Sequence, residues 1–128
     1  MIDKNDLELI EAAKQVINKN FDEVNENHTV GAAIRCKNGK IYVGVNIYLH
    51  HGSCAEFIAI GTAITEGERE FDTIVAVRSP KKNNALIPPC GNCRQLLKMY
   101  APNINVLIQT PNGLEKVHID ELLPYSTY

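Results

Sequence analysis

The alternation of apolar and polar residues predicts an amphipathic helix at the start of the chain. Apolar side chains recur at helical spacing up to Asn20, and we expect this stripe to face the core. Its members are Leu7, Leu9, Ile10, Ala13, Val16 and Ile17.

Strand-like runs alternate with further helical segments along the rest of the chain. Apolar, β-branched runs predict strands at 30–35, 41–46, 71–77, 104–109 and 114–118. The Asn38-Gly39 dipeptide predicts a hairpin between the first two strands. Helices are predicted over 54–64 and 91–100, and a short helical turn over 119–124. This order favours an α/β fold, a single domain over 1–128 in which helices sandwich one mixed sheet.

Composition and charge narrow the function classes. The 128 residues are 45% hydrophobic and 22% charged, which is typical of a globular domain. A net charge of -2 argues against nucleic acid as a partner. The amino terminus is charged from Asp3 onward and lacks the apolar segment of a signal peptide or membrane span. We therefore expect a cytoplasmic protein with no membrane partner, whose four cysteines are free, catalytic or metal-bound.

Three cysteines and one glutamate carry the candidate chemistry. Cys54 lies at the start of one predicted helix, two residues before Glu56, while Cys90 and Cys93 lie at the start of another. Unpaired N–H groups at helix amino termini favour anionic sulfur. Three thiolates and one exchangeable water satisfy tetrahedral zinc with an open position, the arrangement of a catalytic site. Glu56 would then lie near that water without being a ligand.

Other interpretations of these cysteines remain open. A structural Cys3His zinc site could borrow His50 or His51, although it leaves Glu56 without a role. A C-x-x-C pair can also be redox-active, and Cys36 is interpreted as a small core residue. A non-catalytic zinc-stabilised assembly module is the alternative from another class. A deaminase of single-stranded nucleic acid is disfavoured, since the chain has no Trp and 3 Phe.

The motifs resemble those of the zinc-dependent cytidine deaminase family. The sequence C-A-E at 54–56 is followed by P-C-G-N-C-R-Q at 89–95, as in the deaminase signature with Cys in place of His as first ligand. The resemblance implies a three-layer α/β/α sandwich, one Zn²⁺ per chain, a homotetramer, and hydrolytic deamination of a free cytosine nucleoside or analogue. Glu56 is expected to move protons from the water to ring N3 and then to the departing ammonia. Arg94 is expected to donate a hydrogen bond to a ligand sulfur and moderate its charge.

Departures from the family pattern bear on the substrate. The resemblance implies substrate binding by Asn46, Tyr48 and Ala55, but Tyr48 stands where Glu is usual, and Phe57 stands where Arg is usual. The segment from 46 to 54 is also shorter than is usual in cytidine deaminases. Together with Tyr48 and Phe57, it resembles the blasticidin S deaminase branch, which accepts an aminoacylated cytosine nucleoside analogue. The resemblance also implies that a carboxyl-terminal aromatic side chain reaches a neighbouring subunit's pocket. Tyr125 and Tyr128 are the candidates.

Overall fold

The computed structural model describes residues 1–126 and shows one five-stranded mixed sheet. The strands are β1 (Val30–Cys36), β2 (Ile41–Val45), β3 (Phe71–Arg78), β4 (Asn105–Thr110) and β5 (Gly113–His118). Their order across the sheet is β2-β1-β3-β4-β5. β3 and β4 run parallel, and the other neighbours run antiparallel. Every predicted strand is present, with bounds that differ by one residue at most of the ends.

Helices cover both faces of the sheet, which confirms the predicted three-layer sandwich. They are α1 (Lys4–Asn20), α2 (Ala55–Thr65), α3 (Gly91–Tyr100) and α4 (Ile119–Leu122). On one face α1 packs against buried side chains of the central strands, including Val75 and Leu107. On the other face α2, α3 and α4 enclose a second apolar cluster around Ile34 and Ile74. A short 3₁₀ turn at Pro80–Lys82 follows β3 and was not predicted.

The apolar stripe of α1 differs in one respect from the prediction. Leu9, Ile10, Ala13 and Ile17 are buried as expected, but Leu7 is exposed and Val16 only half-buried. At 100° per residue Leu7 and Val16 lie on the two flanks of the buried stripe, whose centre is occupied by Asp6. The expectation that Leu7 faces the core is therefore wrong.

Asp6 ties α1 to the sheet through its carboxylate, although the residue is fully buried. The carboxylate accepts from Arg35 of β1, with 2.9 Å between Nη2 and Oδ1, and pairs with Lys116 of β5 at 2.7 Å between Nζ and Oδ2. It also accepts from the backbone N–H of Asp3 in a capping box. A buried carboxylate with two cationic partners holds the helix at one register on the sheet.

One edge of the sheet collects the segments that carry the candidate chemistry. The amino end of β1 and the carboxyl ends of β2 and β3 lie together there, since Val30 pairs with Arg78 and Gly31 pairs with Val45. The segment from β2 to Cys54 and the segment from β3 to Cys90 both leave from this edge. In residues 1–126 no helix is long and apolar enough to cross a membrane.

Candidate metal centre and active site

The three predicted ligands meet at the amino termini of two helices. Cys54 is the N-cap residue of α2, and Cys90 is the N-cap residue of α3, with Cys93 in its first turn. The three sulfur atoms lie within 4.8 Å of one another. The Cys90 sulfur accepts from the backbone N–H of Cys93 at 3.5 Å, as expected for sulfur at a helix start.

The spacing of the sulfurs fits tetrahedral zinc. Zn–S bonds of about 2.3 Å at tetrahedral angles place two sulfurs about 3.8 Å apart. The Cys54 and Cys90 sulfurs are 3.7 Å apart. The cluster contains neither Glu56 nor a histidine, so it has three protein ligands for four positions. Three ligands leave one position open, which is typical of a catalytic site and not of a closed structural site.

Negative charge is concentrated among these groups. Burial raises the pKa of the Cys93 thiol far above its usual range, and the Glu56 carboxylate adds to the rise. Burial also raises the pKa of Cys54, helped by the Cys90 sulfur. At Cys90 burial acts the same way, but hydrogen bonds from Cys93 and other neighbours outweigh it and hold its pKa below the ordinary value. Several potential anions packed together are stabilised by a cation, which is the chemistry of a metal site.

Glu56 lies beside the sulfur cluster, in the first turn of α2, and is only 5% exposed. Burial raises the pKa of its carboxyl, although hydrogen bonds from its own backbone N–H and from Cys93 act in the opposite direction. No cation forms an ion pair with Glu56 in the part of the chain that the structure describes. A buried carboxyl next to an open metal position is placed to exchange protons there.

The loop that leads into Cys54 is closed by a tight turn. Ile47 and Ser53 form an antiparallel bridge, with 2.9 Å between the Ile47 nitrogen and the Ser53 oxygen. A Cβ on Gly52 would lie 2.2 Å from the Ile47 carbonyl oxygen, so only glycine fits. His50 and His51 are exposed and stack edge to face, with ring centroids 4.7 Å apart. Neither histidine belongs to the sulfur cluster, which gives the structural Cys3His interpretation no support.

The Asn46 side chain is held by the segment before β1. Its Oδ1 accepts from the Val30 N–H at 3.0 Å, and its Nδ2 donates to the Thr29 hydroxyl at 3.1 Å. The Asn46 carbonyl oxygen contacts His28 Nδ1 at 2.8 Å. His28 and Thr29 were not predicted as site residues. The antiparallel hairpin was the available signal, since it places residues just before β1 opposite those just after β2.

The other predicted substrate residues differ in their exposure. Ala55, the first residue of α2, is fully buried, whereas Tyr48 is 81% exposed. The Tyr125 side chain is fully exposed and so is not packed against other groups of residues 1–126. Tyr128 lies outside the described residues. The structure therefore brings Cys54, Cys90, Cys93 and Glu56 together but leaves Tyr48 and Tyr125 at the surface.

Arg94 contacts backbone carbonyls and not the sulfurs. Its Nε donates to the Pro89 oxygen at 2.8 Å, and its Nη1 donates to the Leu122 oxygen at 3.0 Å. The expected hydrogen bond from Arg94 to a ligand sulfur is not among its contacts. Leu122 ends α4, where carbonyl groups lack helical partners, so the guanidinium satisfies one of them. Arg94 thus joins the segment before Cys90 to the carboxyl-terminal tail.

A groove of about 300 Å³ lies at the same sheet edge, between residues 21–30 and 78–82; we call it the charged groove. Thr29 and Val30, which hold the Asn46 side chain, belong to its lining, but none of the three cysteines does. The groove therefore adjoins the Asn46 side of the candidate site and does not cover the sulfur cluster.

Comparison with known proteins identifies the class. The family described as "Cytidine and deoxycytidylate deaminase zinc-binding region" matches residues 3–108. The chain is 44% identical to the blasticidin-S deaminase of Bacillus cereus, over 96% of this chain and 92% of that protein. It is 35% identical to the cytidine deaminase of Halalkalibacterium halodurans, over 74% of each chain. The cytidine deaminase structure from Mycobacterium leprae superposes with a TM-score of 0.76 and 28% identity, covering 95% of this chain and 99% of that one.

The chain therefore belongs to the cytidine and deoxycytidylate deaminase zinc-binding family. The resemblance inferred from the C-A-E and P-C-G-N-C-R-Q motifs is confirmed, as is the cytidine deaminase-like fold. Zinc is the metal of this family, and relatives of both kinds support zinc-dependent hydrolytic deamination of a cytosine nucleoside.

Proposed function

We propose that this chain deaminates a free cytosine nucleoside analogue at a zinc ion held by Cys54, Cys90 and Cys93, with Glu56 as the proton-transferring residue. One observation carries the proposal: three sulfurs within 4.8 Å of one another and a buried carboxylate meet where α2 and α3 begin. A zinc site that served only assembly would not need a buried, unpaired Glu56 beside an open ligand position.

Glu56 performs the acid and base chemistry. Zinc held by Cys54, Cys90 and Cys93 would supply a Lewis acid that lowers the pKa of a water molecule to about 7. A Glu56 carboxylate oxygen takes a proton from that water as the water oxygen bonds to C4 of the pyrimidine. The same carboxyl gives that proton to ring N3, then takes the remaining proton from the new C4 hydroxyl and passes it to the amino group, which leaves C4 as ammonia while the C4 carbonyl forms. Water and a cytosine base thereby become a uracil base and ammonia, and Glu56 returns to its starting charge.

Blasticidin S is the substrate that we favour, with cytidine and deoxycytidine as alternatives. The identity to the Bacillus cereus blasticidin-S deaminase extends over nearly the whole chain. Tyr48 and Phe57 also replace the residues that are usual in cytidine deaminases. Asn46 and the backbone at Ala55 orient the base, and Tyr48 lies at the open side of the site. With cytidine as substrate, the same chemistry would belong to pyrimidine salvage.

Exposed apolar groups near the site favour assembly into a homotetramer. Ile47, Tyr48 and Leu49 are 52%, 81% and 73% exposed on the loop before Cys54, and Tyr125 projects from the tail. Exposed apolar side chains of this kind support a surface that another subunit covers. The four free cysteines support a cytoplasmic location, since they suit a reducing compartment.

A substrate panel tests the proposed function. Cytidine, deoxycytidine and blasticidin S are each incubated with zinc-loaded protein, and loss of the cytosine chromophore is followed with released ammonia. We expect turnover of blasticidin S with one ammonia per substrate consumed. Absence of ammonia from all three substrates, at full zinc content, would contradict the proposal.

A further inference from the structure

The polar groups of Asn46, in the backbone and in the side chain, are all engaged by the segment 28–30. The Asn46 N–H donates to the Val30 oxygen at 3.2 Å, and the Asn46 Oδ1 accepts from the Val30 N–H. The Asn46 Nδ2 donates to the Thr29 hydroxyl. The Asn46 carbonyl oxygen lies 2.8 Å from His28 Nδ1, and because a carbonyl oxygen can only accept, this ring nitrogen carries the proton. His28 is therefore the residue that holds the Asn46 carbonyl.

Asn46 lies beside the first proposed metal ligand. Ile47 and Ser53 exchange two backbone hydrogen bonds, of 2.9 and 3.1 Å, in an antiparallel bridge. On the side of this bridge away from the loop, Asn46 and Cys54 are the next opposed residues. Opposed residues of antiparallel segments have Cα atoms about 4.5–5.5 Å apart. The contact from His28 therefore reaches the point where the chain enters α2 and the proposed metal centre.

His28 is held in an uncommon backbone conformation. Its φ is 50°, and the φ of Glu26 is 51°, in the left-handed region that residues other than glycine rarely adopt. Asp22 and Asn27 bridge this loop with two hydrogen bonds of 3.0 Å, and Asn27 Oδ1 accepts from the His28 N–H at 2.9 Å. Conformations of this kind cost free energy, persist where surrounding contacts fix them, and cluster at functional sites. The loop between α1 and β1 thus fixes the His28 ring against Asn46.

The Asn46 side chain keeps hydrogen-bonding capacity for a ligand. An amide nitrogen has two hydrogens, and an amide oxygen has two lone pairs. Among the described residues, the contacts to Thr29 and Val30 use one of each. The other N–H and the other lone pair are left for a substrate. Their direction depends on the orientation of the Asn46 backbone, which His28 fixes at the carbonyl.

We propose that His28 is a positioning residue for the deamination reaction, because its Nδ1–H holds the Asn46 carbonyl and so fixes the direction in which the Asn46 amide meets the substrate. The inference rests on the proposed function, in which Asn46 orients the substrate. His28 touches neither the substrate nor the metal in this role. Its loss should therefore weaken substrate binding and leave the zinc content and the proton transfer by Glu56 intact. An interaction that holds the substrate equally in the ground state and the transition state changes KM and not kcat.

Two substitutions of His28 separate the hydrogen bond from the backbone conformation. Glycine and asparagine both tolerate a φ of 50°, but only asparagine offers an N–H close to the place of Nδ1. Kinetics are measured with whichever of cytidine, deoxycytidine and blasticidin S the wild type deaminates fastest. His28→Gly is expected to raise KM about 3–10-fold, the effect of one lost hydrogen bond, with kcat and zinc content unchanged, and His28→Asn is expected to stay within about twofold of the wild-type KM. Glu26→Gly relieves a similar φ on an exposed residue of the same loop and is the matched control, with the wild-type KM.

A double-mutant cycle shows whether His28 acts through Asn46. Asn46→Ala alone should raise KM, and His28→Gly added to it should have no further effect, since the side chain that His28 directs is gone. If His28→Gly leaves KM unchanged, if it raises KM no more than His28→Asn does, or if the two effects multiply fully in the double variant, the inference alone is overturned. If the wild type releases ammonia from none of the three substrates, the proposed function fails and the role of His28 fails with it.

Discussion

The position of the metal-bearing helix depends on a glycine in the sheet, and Gly44→Ala tests this dependence. Gly44 lies on β2 beneath α2, where an added Cβ would be 2.6 Å from the Ala59 nitrogen and 2.8 Å from the Ile58 Cβ. Ordinary van der Waals contact begins at 3.4 Å, so α2 must move outward by about 0.8 Å. The Ala59 nitrogen and the Ile58 Cβ are fixed by the helix backbone, so no change of rotamer can relieve the contact.

The displacement has a cost in stability and in metal affinity. Forcing an extra methyl into a packed contact costs about 1–3 kcal/mol of the free energy of unfolding. Because α2 carries Cys54 and Glu56 while α3 carries the other sulfurs, the shift also separates the ligands. Zinc sites tolerate deviations of only about 0.2 Å in ligand distance. We expect zinc affinity to fall about 10–100-fold, as it does when ligand orientation is disturbed.

Gly61→Ala is the matched control, since Gly61 lies on the outer side of the same helix and its Cβ would meet nothing within 4 Å. This change should increase the free energy of unfolding by about 0.5–1 kcal/mol, because alanine favours a helix. Urea unfolding gives the stabilities, competition with a chromophoric chelator gives the zinc affinities, and sedimentation shows whether either variant alters assembly. If Gly44→Ala equals the wild type in both stability and zinc affinity, close packing of α2 does not position the metal site.

Further predictions concern the ion pairs and the tail. Asp6→Asn leaves Arg35 and Lys116 without their buried partner and should cost about 3–5 kcal/mol in urea unfolding at pH 7. Although burial raises the pKa of Asp6, its bonds to Lys116 and Arg35 outweigh this and lower the pKa below the ordinary 3.8. The ionised Asp6 carboxylate therefore contributes its full share of the free energy of unfolding above pH 3.8, and this share is lost as the pH falls through the lower pKa of the folded state. The difference in unfolding free energy between wild type and Asp6→Asn should shrink below pH 3.8. A difference that stays constant with pH would contradict this. Arg94→Gln releases the Pro89 and Leu122 carbonyls and should speed both zinc release and amide exchange at 121–126; unchanged rates would show that Arg94 does not connect the two segments. Truncation after residue 124 should raise KM and leave zinc content unchanged, and an unaltered KM would show that the tail does not serve the pocket.

The cysteine cluster could be expected from sequence because its information is local. Each candidate ligand lies at a helix start that is visible in the chain itself, and Glu56 is two residues from Cys54. The same holds for most elements, where the period of apolar residues matches a helix or a strand. The prediction for Leu7 was wrong because the apolar residues alone do not show which line along the helix is most deeply buried. In the structure that line passes through Asp6, a polar residue.

Contacts between distant segments could not be predicted in the same way. Arg94 next to Cys93 suggested a bond to sulfur, but its hydrogen bonds run to carbonyl oxygens, one of them 28 residues away. The charged groove is formed by segments separated by about fifty positions, which only the pairing of β1 with β3 brings together. The side chain of Asn46 is likewise engaged by Thr29, across the hairpin. In each case the decisive partner is set by tertiary packing.

Turnover by Glu56→Gln at measured zinc content shows whether Glu56 transfers protons at a metal that the cysteines hold. Zinc per chain is determined by elemental analysis for wild type and variant, and ammonia release is then compared per zinc-loaded chain. We expect equal zinc content, unchanged thermal unfolding, and a fall in kcat of about 10²–10⁴-fold, because Glu56 moves protons and is not a ligand. Undiminished ammonia release at equal zinc content would show that Glu56 does not carry the proton transfer.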